Sequence, residues 1–148
     1  MARNTSILRS GLLALTAALA GLVMPVPAAA AEPITGRWVT QSKDAVVGIA
    51  RCGKSLCGRI ERFLIKTPQG ADQRDTNNPD AALRQRKLVG LAILSGLSAD
   101  GEVWRGEVYD PKTGRTYRSE VRRKSADILE VSGCLGPFCQ TQVWKKAS

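Results

Sequence analysis

The sequence predicts an all-β protein, an antiparallel up-and-down β-barrel of about eight strands. Three observations support this prediction: short runs rich in β-branched and aromatic residues, turn signals between nearly all of them, and two CxxxxC motifs where hairpin loops are expected. Closing the strands into a ring would remove the exposed edges of an open sheet. The predicted strands are residues 36–40, 45–52, 57–65, 88–97, 102–110, 115–123, 127–133 and 139–145.

The first part of the chain is predicted to be a secretory signal peptide, residues 1–31. It has two arginines near its start, Arg3 and Arg9, then an apolar run over residues 11–23, and it ends in small residues that allow cleavage near Ala31. The predicted product is a single domain, residues 32–148, in the periplasm or secreted. No stable membrane anchor is expected, because no later apolar run is long enough for a transmembrane helix.

The charge of the chain bears on its partners. The full chain has 22 Lys and Arg against 13 Asp and Glu, a net charge of +9, and loss of the two arginines of the signal peptide would leave +7. Outside the membrane the acidic partners are lipid headgroups, lipopolysaccharide and anionic polymers, so no nucleic acid is expected. The basic residues are scattered, which is also the ordinary pattern of a soluble surface.

All four cysteines lie in the predicted exported part, as in a disulfide framework. Four cysteines allow three pairings. The pairs Cys52–Cys57 and Cys134–Cys139 are favoured, because each flanks a loop of hairpin length. A redox-active role is disfavoured, since the spacing is CxxxxC rather than CxxC.

The register of one hairpin follows from its sequence. Residues 110–115 read Asp-Pro-Lys-Thr-Gly-Arg, a four-residue loop in which Pro111 presets φ and Gly114 takes a left-handed conformation. A one-residue slip would destroy both the apolar face and the charge pairing. The predicted pairs are Val108–Tyr117, Gly106–Ser119 and Trp104–Val121 on the inner face, and Glu107–Arg118 and Arg105–Glu120 on the outer face.

The neighbouring hairpins are predicted to extend the same inner face. The turn after the fourth strand would place Leu91 opposite Val108, and the turn after the sixth strand would place Leu129 opposite Val121. The last hairpin would place Trp144 opposite Leu129. The predicted inner face carries Leu91, Ile93, Trp104, Val108, Tyr117, Val121, Leu129, Val131, Gln142 and Trp144.

One connection, residues 66–87, is too long for a simple hairpin, and long loops in small domains are often lids or inserts. We expect it to gate the barrel mouth. It contains one predicted helical turn, with Asn78 as the N-cap, Pro79 at the first helical position and Asp80 as a favourable charge.

Six short motifs occur in order along the predicted exported domain. They are Gly36-x-Trp38, Cys52-Gly-x-x-Leu-Cys-Gly58, Asp75-x-x-Asn78-Pro-Asp80, Trp104-x-Gly106, Tyr109-Asp-Pro-x-x-Gly114 and Thr141-x-x-Trp144. Taken together, these motifs resemble a bacterial family called domain of unknown function 2147, a family of small exported proteins. The resemblance covers nearly all of the predicted exported domain and implies a lipocalin- or calycin-like barrel that binds a small, apolar molecule. The Cys134–Cys139 pair is not part of the resemblance and rests on spacing alone.

The residue types limit the chemistry that the chain can perform. It contains no histidine, which removes Ser-His and Cys-His nucleophiles and the usual general base near neutral pH. We therefore predict no enzyme, no catalytic residues and no cofactor. An oxygen-rich cluster could bind a hard cation, but turn formation and capping are favoured, and no metal is predicted. The cluster is Asp72, Asp75, Asn77, Asn78 and Asp80.

The predicted function is binding of a small apolar or amphiphilic ligand, to carry or sequester it. The ligand-binding residues would be Trp38, Trp104, Tyr117, Gln142 and Trp144. The competing interpretation is that these rings fill a narrow barrel, with Trp38 plugging one end. An alternative function is an envelope interaction protein whose loops bind another protein or an anionic cell-wall polymer. A hydrolase that uses carboxylates is disfavoured, because no convincing acid pair is present.

Overall fold

Eight antiparallel strands in chain order form a closed barrel in the computed structural model, which describes residues 29–148. The last strand pairs with the first and closes the ring, as predicted. The predicted signal peptide lies almost entirely outside the described residues. The elements are β1 (Gly36–Val39), β2 (Ala45–Cys52), β3 (Ser55–Phe63), β4 (Ala92–Asp100), β5 (Val103–Asp110), β6 (Arg115–Ser125), β7 (Ile128–Leu135) and β8 (Phe138–Lys146), with single 3-10 turns at Gly70–Asp72 and Ala81–Leu83.

The register predicted for β5 and β6 is confirmed at every pair. Val108 lies opposite Tyr117, and the outer face carries an ion pair between Arg105 and Glu120. In the connecting turn the backbone N–H of Gly114 donates to the carbonyl of Asp110 at 2.8 Å. The local turn chemistry was therefore sufficient to align these two strands.

The register predicted for β4 and β5 is wrong. Leu94, rather than Leu91, lies opposite Val108. Two local features cause the shift: the turn between the strands contains only two residues, and the β4 ladder is interrupted at Gly96, whose φ is +62°. As a result Leu94 is completely buried and occupies the inner position that Leu91 was expected to take.

The register predicted for β6 and β7 is also wrong, but by two residues. Val131 pairs with Val121, whereas Leu129 pairs with Arg123, because the turn is shorter than expected. A slip of two residues keeps every side chain on its predicted face. Leu129 and Val131 are accordingly both buried inside the barrel, and Trp144 lies opposite Leu129 as predicted.

Both predicted disulfides are present, at opposite ends of the barrel. Cys52–Cys57 lies at the β2–β3 turn, and Cys134–Cys139 joins directly opposed residues of β7 and β8. In an up-and-down barrel the β1–β2, β3–β4, β5–β6 and β7–β8 connections lie at one end, which we call the open end. The other connections and the segment before β1 lie at the closed end.

The closed end is filled by side chains and covered by the N-terminal segment. The buried indole of Trp38 donates to the carbonyl of Ile34 at 3.0 Å, and Ile34 itself is completely buried. Trp104 donates from its indole to the carbonyl of Glu32 at 2.9 Å. The guanidinium of Arg123 lies 5.9 Å from the centre of the Trp38 ring. This placement agrees with the expectation that Trp38 plugs one end.

The helical turn in the long β3–β4 connection is capped differently from the prediction. Asp80, not Asn78, is the N-cap, and its carboxylate accepts from the N–H of Ala82 at 2.9 Å. The side-chain oxygen of Asn78 accepts from the N–H of Asp80 at 2.9 Å, so Asn78 forms a turn before the helical turn, and Pro79 also lies before the helical turn.

Within the described part of the chain, no helix is long and apolar enough to cross a membrane.

The connection packs closely on the β5–β6 turn. The amide of Asn77 donates to the carbonyls of Pro111 and Lys112, each at 3.1 Å. Gly114 lies beneath the Asn77 backbone with a φ of +68°, and a Cβ atom at this position would overlap the Asn77 carbonyl oxygen. A glycine is therefore required at position 114 both by conformation and by space.

This packing can be tested by a pair of glycine substitutions. Gly114→Ala and Gly101→Ala both place a side chain at positive φ, which should cost about 1–2 kcal/mol each. Gly101 has open space where its Cβ would lie. Gly114→Ala should therefore lose about 1–3 kcal/mol more in unfolding free energy, measured by urea denaturation of the oxidised protein. Equal losses would contradict the packing of the connection on the turn.

Candidate ligand-binding site

The barrel opens at one end into a cavity with two lobes. The first lobe, of about 440 Å³, is bounded by β5 to β8, and the second, of about 380 Å³, by the β1–β2 turn, the β3–β4 connection and the β5–β6 turn. Each volume is within the range of small-molecule sites. The lobes meet at four shared residues: Val108, Asp110, Gln142 and Trp144.

Strand alternation brings the wall of the first lobe together. Tyr117 and Val131 project inward from β6 and β7, and Trp144 closes the floor from β8. The Trp144 indole donates to the side-chain carbonyl of Gln142 at 2.9 Å. This bond orients the Gln142 amide, whose NH₂ group has no acceptor among the described residues. The wall therefore combines apolar surface with polar side chains, among them the amides of Gln140 and Gln142.

The structure brings together three of the five predicted ligand-binding residues. Tyr117, Gln142 and Trp144 line the cavity. Trp38 and Trp104 do not line either lobe, because they lie at the closed end, where their indoles hold the N-terminal segment. Several lining residues were not singled out from the sequence as ligand contacts; they are Val131, Leu135, Phe138 and Gln140 in the first lobe and Phe63 and Tyr109 in the second.

A buried polar cluster, which we call the Asp75 cluster, consists of Asp75, Asn78, Arg86 and Tyr109. The Asp75 carboxylate is completely buried and accepts hydrogen bonds from the Tyr109 hydroxyl at 2.6 Å and the Asn78 amide at 2.8 Å. The guanidinium of Arg86 donates to it from two nitrogens, each at 2.8 Å. The carboxylate is therefore neutralised and fully occupied by structural partners.

The Asp75 cluster also has contacts that do not involve the carboxylate. The Asn78 amide donates to the Tyr109 hydroxyl at 3.0 Å, and the Arg86 guanidinium lies 5.5 Å from the centre of the Tyr109 ring. Tyr109 belongs to β5, whereas its three partners belong to the β3–β4 connection. The cluster thus fastens the connection to the barrel wall, which argues against movement of residues 75–78 as a lid.

Burial and hydrogen bonding have opposite effects on the Asp75 carboxyl. Burial raises its pKa, but the hydrogen bonds from Tyr109, Asn78 and Arg86 and the charge of Arg86 outweigh burial and hold the pKa below its usual value. Burial, together with the bond to the negative Asp75 carboxylate, raises the pKa of the Tyr109 hydroxyl. Asp75 is therefore ionised, and Tyr109 is neutral, near neutral pH.

The carboxylates of the oxygen-rich cluster each have a separate structural partner. Asp72 pairs with Lys87 at 2.6 Å, Asp75 pairs with Arg86, and Asp80 caps its own turn. Among residues 29–148, no group of three or more His, Cys, Asp or Glu side chains is arranged to hold a metal ion. These carboxylates serve the folding of the connection.

The contact between Asp75 and Tyr109 was not recognised from the sequence. The two residues lie 34 positions apart. Asp75 was assigned to turn formation, and Tyr109 was expected to pack outside or at the mouth. The available signal was that both belong to the motifs of the suspected family, Asp75-x-x-Asn78 and Tyr109-Asp-Pro.

The closed barrel of eight antiparallel strands, with one filled end and one open cavity, is a lipocalin-like fold. A solved structure with this fold is protein HP1028 from the human pathogen Helicobacter pylori, described as belonging to the lipocalin family. It superposes with a TM-score of 0.69 at 23% sequence identity, over 78% of this chain and 84% of that chain. This likeness shows the fold.

The family itself is shown by the sequence. Residues 36–146 match the family described as "Uncharacterized protein conserved in bacteria (DUF2147)", and the chain therefore belongs to that family. The resemblance seen in the motifs is confirmed. No curated protein matches this chain.

The Asp75 cluster leads to a prediction about acid stability. Since the folded-state pKa of Asp75 is lowered, its contribution is present above the unfolded pKa of about 3.9 and is lost as the pH falls through the lower folded value. Asp75→Asn should lose about 2–4 kcal/mol of unfolding free energy at neutral pH. Its deficit relative to the native protein should shrink in acid.

The measurement is urea denaturation of both proteins over a range of acidic to neutral pH. Asp127→Asn is the matched control, because Asp127 is exposed at the β6–β7 turn; it should change stability by about 0.5 kcal/mol or less. A deficit of Asp75→Asn that stays constant with pH would show that ionisation of Asp75 does not stabilise the fold.

Proposed function

We propose that this protein is exported and binds a small amphiphilic molecule in the open end of its barrel, to carry or sequester it without covalent chemistry. The observation that carries the proposal is the cavity, whose wall presents aromatic and aliphatic side chains beside polar ones, while the closed end is filled by side chains. An eight-stranded barrel has room for one small ligand.

The wall indicates the chemistry of the ligand. Tyr117, Val131 and Trp144 offer two aromatic rings and an aliphatic side chain to an apolar body. The NH₂ group of Gln142 offers a donor to an acceptor on the ligand, such as a carbonyl or ether oxygen. A molecule with an apolar ring or short chain and one oxygen acceptor fits both features.

The carboxylates at the cavity support binding without catalysis. Asp44 accepts from the hydroxyl of Thr40 at 2.6 Å and pairs with Lys112 at 2.9 Å. Asp110 accepts from the backbone N–H of Lys112 and the hydroxyl of Thr113 within its own turn. Each carboxylate therefore has structural partners, and the chain contains no histidine to act as a base.

Export is supported by the disulfides and the predicted signal peptide. Both CxxxxC pairs are oxidised, as in proteins of the periplasm or the cell exterior.

The Asp75 cluster supports ligand binding, because it holds the wall of the second lobe in place before a ligand arrives. Such preorganisation reduces the conformational entropy lost on binding.

A second candidate is an envelope interaction protein that uses its loops to bind another protein or an anionic polymer. It is favoured by the exposure of Leu135 and Phe138 on the β7–β8 turn. Native mass spectrometry separates the two candidates. Protein purified from a periplasm under non-reducing conditions should carry a small adduct that is lost on denaturation, whereas a bare polypeptide mass would favour the interaction protein.

The site can also be tested by filling the cavity. Gln140 lines the first lobe opposite Gly133, so Gln140→Trp should place its ring in the lobe with little effect on the barrel. Val143→Trp is the matched control, because Val143 lies on the same strand and projects outward. With 8-anilinonaphthalene-1-sulfonate as a fluorescent probe, Gln140→Trp should weaken binding about tenfold, whereas the control should stay within about twofold.

Thermal melts of both variants serve as the check on folding. If the native protein shows no saturable probe binding, or if the two variants bind the probe equally, the cavity is not the binding site.

A further inference from the structure

The exposed apolar side chains are concentrated at the open end. Among the described residues, six large hydrophobic side chains are exposed, and five of them lie on connections or strand ends around the mouth. The sixth, Val143, lies on the barrel wall. The five are Leu64, Ile65, Leu83, Leu135 and Phe138.

The most exposed pair occupies the β7–β8 turn, which we call the apolar tip, residues 135–138. Leu135 is 68% exposed and Phe138 is 80% exposed. The Cys134–Cys139 disulfide joins the strands directly beneath the tip, and Arg118 donates to the Gly136 carbonyl at 2.6 Å. The tip is therefore braced in a position where its apolar side chains are exposed at the edge of the first lobe, which both also line, although such exposure is costly in water.

Positive charge lies on the other three connections of the same end. Lys43 is in the β1–β2 turn, Lys66 is in the β3–β4 connection, and Arg115 is the first residue of β6. All three side chains are exposed, and none forms an ion pair within residues 29–148. These cations are available to an external negative partner.

The carboxylates in the same connections are already engaged. Asp44 and Asp72 each form an ion pair with a lysine. Asp80 and Asp110 accept hydrogen bonds from the backbone of their own turns. The connections of this end, residues 40–44, 64–91 and 110–115, carry eight Lys and Arg side chains against five Asp, so the rim has a net positive charge beside its exposed apolar side chains.

We propose that the open end docks reversibly on an anionic lipid surface. Leu135 and Phe138 would enter the boundary between headgroups and acyl chains, while Lys43, Lys66 and Arg115 would contact the phosphates. The exposed apolar residues lie on separate connections with cations between them, which matches the layered chemistry of a bilayer surface. A protein partner would favour one contiguous apolar patch.

This inference goes beyond ligand binding, because it assigns a surface and a partner to the rim. Docking in this orientation would point the mouth of the cavity at the membrane, where amphiphilic molecules are concentrated. The docking itself does not require that the cavity be occupied.

The first experiment is vesicle flotation with oxidised protein obtained by expressing the full chain. Vesicles of phosphatidylglycerol and phosphatidylcholine should retain the protein at about 50 mM salt and release most of it at about 500 mM, because salt screens exposed charges. Vesicles of phosphatidylcholine alone should bind it at least about tenfold more weakly. Equal binding to both vesicles, or none to either, would overturn the proposal.

Two pairs of variants locate the contact. The double variant Leu135→Ser with Phe138→Ser should reduce retention about tenfold, whereas Val143→Ser should leave it unchanged. Lys66→Gln with Arg115→Gln should reduce retention about tenfold. The matched control, Arg51→Gln with Lys54→Gln, removes the same charge at the closed end and should have little effect.

The outcome can be separated from ligand binding. Neither Lys66 nor Arg115 lines the cavity, so their double variant should keep its affinity for 8-anilinonaphthalene-1-sulfonate while losing vesicle retention. Equal loss of retention in both charge variants would indicate attraction by net charge alone and contradict a docking rim. Light scattering that shows a dimer abolished by the tip variant would assign the tip to a second copy of the chain and would also overturn the proposal.

Discussion

The pairing of β8 with β1 is the constraint on which the rest of the structure depends. It converts a meander of eight strands into a ring and gives the inward side chains a common interior. The narrow interior is occupied differently at the two ends of the barrel. At the closed end it is filled around Trp38 and sealed by Ile34, whereas at the open end it leaves a cavity above Trp144.

The Asp75 cluster is the second constraint. The β3–β4 connection is long enough to be mobile, but a buried carboxylate with three donors ties it to Tyr109 on β5. Gly114 lets the connection approach the neighbouring turn, where a larger residue would collide with Asn77. The connection therefore acts as a wall of the second lobe. Burying an ionised group is tolerated here because every side of the carboxylate is satisfied.

Local features of the sequence were sufficient for much of the fold. The turn at Asp110–Arg115 aligned β5 with β6, and the two CxxxxC spacings gave both disulfides. The alignment of Leu94 with Val108 was not predicted. A bulge and a two-residue turn shift β4 relative to β5, and the pattern of apolar residues in the sequence does not indicate this shift. The two-residue shift between β6 and β7 could not be predicted from the sequence either, since it leaves every side chain on the same face.

By itself, the sequence determined the all-β class, the eight strands, the disulfides and the inward direction of Trp104, Tyr117 and Trp144. Only the tertiary structure decided the depth of those rings and the long-range contacts. Trp38, Trp104, Tyr117 and Trp144 share the inner face, yet only Tyr117 and Trp144 reach the cavity. Side chains in a strand alternate every two residues, so the sequence pattern indicates which face of the sheet a side chain lies on. The position of that side chain along the barrel axis, and the contact between Asp75 and Tyr109, depend on how the whole ring closes.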